Sequence, residues 1–215
     1  SRMDAQIRGQ DVAVRNANDA ISFAQTAEGA VSKVSDSLQR MRELAVQAAN
    51  GTYSSGDLSN LDAEYQQLSA EITSVTGNTK FNGTSVFGSA TTFQIGSGTA
   101  DTITMSSISG TNITQGGSIS TAALATAAMS SIDTALDNAN TTRATLGAYQ
   151  NRFDSVIANL QVSTENMSAA KSRIMDADFA AETAKMTRAQ ILQQAGTAML
   201  AQANQLPNSV MTLLR

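Results

Sequence analysis

The sequence predicts a mainly α fold: an elongated antiparallel helical bundle, in effect a coiled-coil rod, with a β-hairpin or small β region in its middle and a C-terminal amphipathic helix. Three observations predict it. Ala-rich segments at both ends carry apolar residues at alternating steps of three and four. A Gly/Ser/Thr-rich stretch with two-residue alternation separates them. The only proline of the 215 residues is Pro207, so the long segments run uninterrupted.

The first stripe is Val14, Ala17, Ile21, Ala24, Ala27, Val31, Val34, Leu38, Met41 and Ala45, the seam of a coiled coil. Asn50-Gly51 then stops the helix. A second helix reads Leu58, Leu61, Tyr65, Leu68, Ile72 and Val75, with Asp57 near its start and Gly77-Asn78 after its end. The short link between the two predicts an antiparallel hairpin of helices.

From Phe81 to Ser120 the texture changes. Asn82-Gly83 marks a tight turn, and Thr91–Ile95 and Asp101–Met105 alternate on either side of Gly96–Ala100, the pattern of a β-hairpin. Residues 106–120 read as a loop or a very small outer subdomain. A third stripe follows through Met129, Ile132, Leu136, Ala139, Leu146, Tyr149, Phe153, Ile157, Leu160, Met167 and Ile174, broken by polar Arg143 and Thr164. From Ala180 an Ala/Gln-rich helix presents Leu192, Ala195, Met199, Ala203 and Leu206 before Pro207 is expected to interrupt it. Because the first three helices satisfy one another, the last stripe calls for a partner molecule.

Composition narrows the function. Hydrophobic content is 41% but aromatic content only 4%, which suits a thin bundle better than one globular core. A net charge of −4 without a block of like charge speaks against nucleic acid and an electrostatic membrane patch, so neither is expected as a partner. Without Cys or His there are no disulfides, thiolate or imidazole metal ligands, or His- or Cys-based catalysis. No catalytic residue, cofactor or metal site is expected, and no apolar run is long enough for membrane insertion. Asp57, Asp62 and Glu64 are read as capping and surface charges rather than an acid catalyst, and Asp176 with Asp178 lacks a calcium-type loop. Gly96-Ser97-Gly98 lacks the helix and lysine of a phosphate cradle. Tyr53 is the one tyrosine placed in a loop, and without tryptophan a glycan-binding adhesin is disfavoured.

Several ordered strings carry a specific resemblance: Gln39–Gln47 (QRMRELAVQ), Phe81-Asn82-Gly83, Leu146–Phe153 (LGAYQNRF), Ser172-Arg173-Ile174 and Arg188–Gly196 (RAQILQQAG). Together they resemble bacterial flagellin over nearly the whole chain. The resemblance implies an inner rod domain over residues 1–106 and 121–175, a vestigial outer domain or short loop at 107–120, and a helix of the innermost, tube-forming domain at 176–215. It implies a flagellar filament subunit, exported unfolded without a cleaved signal peptide and extracellular in the bacterial flagellum, whose partners are further flagellin copies, a flagellin-specific export chaperone and the Toll-like flagellin receptor of animal hosts. Relative to flagellins the chain reads as N-terminally truncated, so the last helix lacks its usual mate and is expected to be disordered unless covered.

On that reading Met186, Ile191, Leu192, Met199, Leu206, Val210, Leu213 and Leu214 serve filament assembly and chaperone binding, with an ordinary intrachain helix face as the plainer alternative. Arg40, Leu44 and Glu64 match the receptor-recognition positions, although a solvated helix face is the commoner meaning of such charges. Two other readings compete. A methyl-accepting signalling coiled coil accommodates the central β-hairpin poorly. A hook-filament junction protein of the same organelle shares the terminal helices but does not build the filament.

Overall fold

The computed structural model describes residues 2–114, 116–175 and 179–213, with side chains described up to residue 203 apart from Phe179. Its elements in chain order are α1 (Arg2–Ala48), α2 (Ser55–Asn78), β1 (Lys80–Phe81), β2 (Thr84–Ser85), β3 (Thr91–Gln94), β4 (Thr102–Met105), a 3-10 turn (Gly110–Asn112), α3 (Ala122–Met175) and α4 (Phe179–Leu213). The chain divides into two compact units, Ser1–Met167 and Ser168–Arg215.

In the first unit α1 buries Ala17, Ala24, Ala27, Val31, Val34, Leu38, Met41 and Ala45, which are seam positions, and keeps Val14 and Ile21 half-buried. Phe23 and Leu44 are buried as well, which widens the seam to a face. The helix ends where Asn50-Gly51 begins the link, and α2 opens on a capping box: the Ser54 side chain accepts from Asp57 N while the Asp57 carboxylate accepts from Ser54 N. Tyr65 and Ile72 are the fully buried residues of α2, with Leu58, Leu61, Leu68 and Val75 packed against the core.

Two hairpins follow. Asn82, at φ 48°, and Gly83, at φ 80°, form a two-residue turn that pairs Lys80 with Ser85 and Phe81 with Thr84. β3 and β4 pair antiparallel in the register Thr91↔Met105, Thr92↔Thr104, Phe93↔Ile103 and Gln94↔Thr102. Ile103 and Met105 face the core, and Thr92 and Thr104 exchange a hydroxyl hydrogen bond on the other face.

Five of the aromatic rings join these layers. Phe23 of α1 meets Phe81 of β1 at 5.9 Å and Phe93 of β3 at 5.8 Å, Phe93 meets Phe153 of α3 at 5.7 Å, all edge to face, and Tyr149 stacks on Phe153. Each such contact contributes about 0.5–1.5 kcal/mol beyond area burial. A chain poor in aromatic residues thus concentrates them where the hairpin docks on the helices. Residues 106–120 hold to the same core, because Ile108, Ile113 and Ile119 are buried and Asp62 of α2 accepts from Ile119 N at 2.6 Å.

The two polar breaks in the third stripe are interhelical contacts. Arg143 pairs with Glu28 at 3.7 Å, and the Thr164 hydroxyl donates to Gln10 Oε1 at 3.0 Å.

Two expectations are corrected. Ile174, placed on the buried seam of α3, is 73% exposed and belongs to the second unit, outside the core of the first. Pro207 does not end the last helix: α4 continues from Phe179 to Leu213, since a proline deletes one backbone donor while the ladder re-forms on either side. The Ala, Leu, Gln and Met of this segment are strong helix formers, and its described side chains, residues 180–203, are exposed.

Candidate functional site

One candidate surface lies on the first unit. Arg40 on α1 reaches Glu64 on α2, with Nη2 2.8 Å from Glu64 Oε1 and Nε donating to the same oxygen at 2.9 Å, while Nη1 donates to Glu43 Oε2 at 3.0 Å. The side-chain bond to Glu43, then that to Glu64, raises the Arg40 pKa above its ordinary value. Arg40 and Glu64 are half open to solvent and Glu43 more so, so the network fixes direction more than it adds stability. A planar guanidinium held by two carboxylates is a defined, rigid feature for a partner to read.

Leu44 does not share that surface. At 1% exposure it is a core residue under α1, so of these three positions only Arg40 and Glu64 are open to a partner approaching this face. Its position three residues after Met41 on the buried stripe was the signal in the sequence.

Asp57 and Asp62 are engaged in the cap of α2 and in holding residue 119, respectively, which leaves neither as an acid poised over a cleft. Among the described residues no cluster of His, Cys, Asp and Glu has the makings of a metal site. Asp176 and Asp178 lie outside the described residues.

The second surface is α4. Met186 and Ile191 are each 58% exposed, Leu192 65% and Met199 71%. Leu206, Val210, Leu213 and Leu214 have side chains outside the described residues. At about 100° per residue, Ile191, Leu192, Ala195 and Met199 share one side of the helix, whereas Met186 projects from roughly the opposite side. Leu200, 66% exposed, lies near the Met186 side and is absent from the predicted stripe. It was legible only as an apolar residue off the seam. From Ala189 to Leu213 the helix holds no charged residue.

Such a helix is apolar around much of its circumference, the pattern of one covered on more than one side. Fully burying a Leu or Met side chain is worth about 1.5–3 kcal/mol. No helix of the described residues is long and apolar enough to cross a membrane.

Comparison with known proteins assigns the architecture. Residues 1–92 match the bacterial flagellin N-terminal helical region, and residues 129–214 match the bacterial flagellin C-terminal helical region. The chain is 40% identical over 237 residues to Flagellin FlaB2 of Treponema pallidum, covering all of this chain and 82% of that protein. It is 42% identical over 228 residues to a flagellin of Halalkalibacterium halodurans, with the same coverage. The crystal structure of Bacillus cereus flagellin superposes with a TM-score of 0.63 at 36% identity, covering 73% of this chain and 94% of that one. A putative flagellar hook-associated protein from Vibrio parahaemolyticus has a TM-score of 0.69 over 80% of this chain and 94% of its own, but at 14% identity that likeness concerns the fold alone. The chain belongs to the bacterial flagellin family, the structural subunits of the flagellar filament.

Proposed function

We propose that α4 is the principal copy-to-copy contact of this filament subunit, with Ile191, Leu192 and Met199, and beyond them Leu206, Val210, Leu213 and Leu214, packing against other flagellin chains. The observation that supports the reading is the exposure of Ile191, Leu192 and Met199 on a helix that holds no charged residue from Ala189 to Leu213. Heterologous contacts that do not close on themselves generate an open helical polymer, the geometry a filament requires. Met186 and Leu200, on the other side of the helix, fit a second neighbour.

The same surface suits a flagellin-specific export chaperone before assembly. An uncovered Leu/Met helix would otherwise associate prematurely in the cytosol, so chaperone and polymer compete for one face. Export in unfolded form, without a cleaved signal peptide, belongs to this reading. Recognition by an animal Toll-like flagellin receptor falls on the other unit, through Arg40 and Glu64, with Leu44 supporting the helix from beneath.

The test is the paired substitution Leu192→Asp with Leu206→Asp in the protein as the bacterium makes it. Filaments are expected to disappear while the thermal melt of the first unit stays unchanged. Normal filaments would overturn the assignment of α4.

A further inference from the structure

The chain contains two Asn-Gly steps, Asn50-Gly51 and Asn82-Gly83, and both are exposed. In an Asn-Gly step the glycine amide nitrogen can attack the asparagine side-chain carbonyl. A C–N bond forms to the side-chain carbon, ammonia leaves, and a succinimide results. Solvent water then opens the ring to aspartate or isoaspartate. Glycine favours the attack because it has no side chain to crowd it, and both steps share it, so their reactivity in an unfolded chain is expected to be similar. The fold separates them.

Asn82 sits in the left-handed region at φ 48°, between strands paired Lys80↔Ser85 and Phe81↔Thr84, with a further hydrogen bond from Val86 N to Thr79 O at 3.2 Å. Ring closure swings the Asn–Gly peptide away from the ψ of that left-handed well, and such a rotation breaks the turn and both pairings. Phe81 adds to the restraint, since its ring packs on Phe23.

Asn50 has no comparable restraint. It stands two residues beyond the end of α1, its backbone holds a single turn bond from Asn50 N to Gln47 O at 3.2 Å, and a Cβ placed on Gly51 would meet nothing within 4 Å. We propose that Asn50 is a specific deamidation site of the folded protein and that Asn82 is protected by its hairpin. The product places a new carboxylate just beyond the C-terminus of α1, whose last turn has no basic residue, so the charge opposes the negative end of the helix dipole. An isoaspartate would also lengthen the backbone of the α1–α2 link.

Folded protein is incubated at mildly alkaline pH and mapped by peptide mass spectrometry for the gain of about one dalton, with isoaspartate scored by the retention of the isomeric peptides. Asn50 is expected to convert at least about tenfold faster than Asn82, the two rates converging in urea once local opening no longer limits the hairpin. The Asn50→Asp variant is expected to melt at a lower temperature than Asn50→Gln. Equal rates at the two positions in the folded protein, or faster conversion of Asn82, would overturn the proposal; equal melting of the two variants would remove the proposed effect on α1.

Discussion

Arg42 of α1 and Asp133 of α3, 91 positions apart, face each other through two hydrogen bonds, Nε to Oδ1 at 2.6 Å and Nη2 to Oδ2 at 3.4 Å. The same two helices are joined by Glu28, which pairs with Arg143 and accepts from Gln150, and by Gln10, which donates to Ser163 and accepts from Thr164. Three polar rungs thus accompany the Ala-rich seam and agree on one antiparallel register. Small apolar side chains make neighbouring registers similar in burial, so direction-specific hydrogen bonds add discrimination.

The first rung predicts a pH dependence. The hydrogen bond from Arg42 lowers the Asp133 pKa below its ordinary 3.8. A carboxyl whose folded pKa is depressed stabilises the fold above its unfolded pKa and loses that contribution as pH falls through the folded value. Wild type is expected to lose melting temperature below pH 3.8 more steeply than Asp133→Asn, by a small margin because both side chains are half exposed. Identical acid profiles of the two proteins would contradict this.

Phe153 is fully buried between Phe93 and Tyr149. Its replacement by Ala removes the ring at the junction of α3 with the hairpin and is expected to destabilise the first unit by about 3–5 kcal/mol. Val162, 59% exposed on the same helix, provides the control, and Val162→Ala is expected to be nearly neutral. Denaturant unfolding of both variants checks the contrast.

The start of α2 depends on one serine. Ser54→Ala removes the side-chain acceptor of Asp57 N and is expected to cost about 1 kcal/mol. Faster amide exchange should be confined to the first turn of α2, and exchange spreading through α1 would show a different role for the cap.

The proposed receptor face predicts a separation of surface from core. In a reporter-cell assay Arg40→Ala and Glu64→Gln are expected to reduce activity with unchanged melting temperature. Leu44→Ala is expected to lower both, since its side chain lies in the core. Equal activity of wild type and Arg40→Ala would reject the assignment of this face.

How much of this was legible before the structure follows from where the information is stored. The helices, the stop at Asn50-Gly51 and the hairpin around Gly96–Ala100 are local patterns with a fixed period, so the residues announce them. The docking of Phe93 between Phe23 and Phe153 is non-local and carries no period. Residues Ile108, Ile113 and Ile119 lie too irregularly to read as core, yet all are buried. Family likeness marks Leu44 as a surface contact, although its helical phase places it inside. Ile174 failed the other way: its phase continues the α3 stripe after the packing partners of the first unit have ended.

The central claim, that α4 is covered by other copies, is tested most directly by oxidative footprinting of methionine. Met186 and Met199, 58% and 71% exposed in the single chain, report opposite sides of the helix. Both are expected to oxidise readily in the monomer and to be protected in assembled filaments, while Met41, buried in the first unit, stays protected throughout. Oxidation of Met199 at the same rate in monomer and filament would contradict the account.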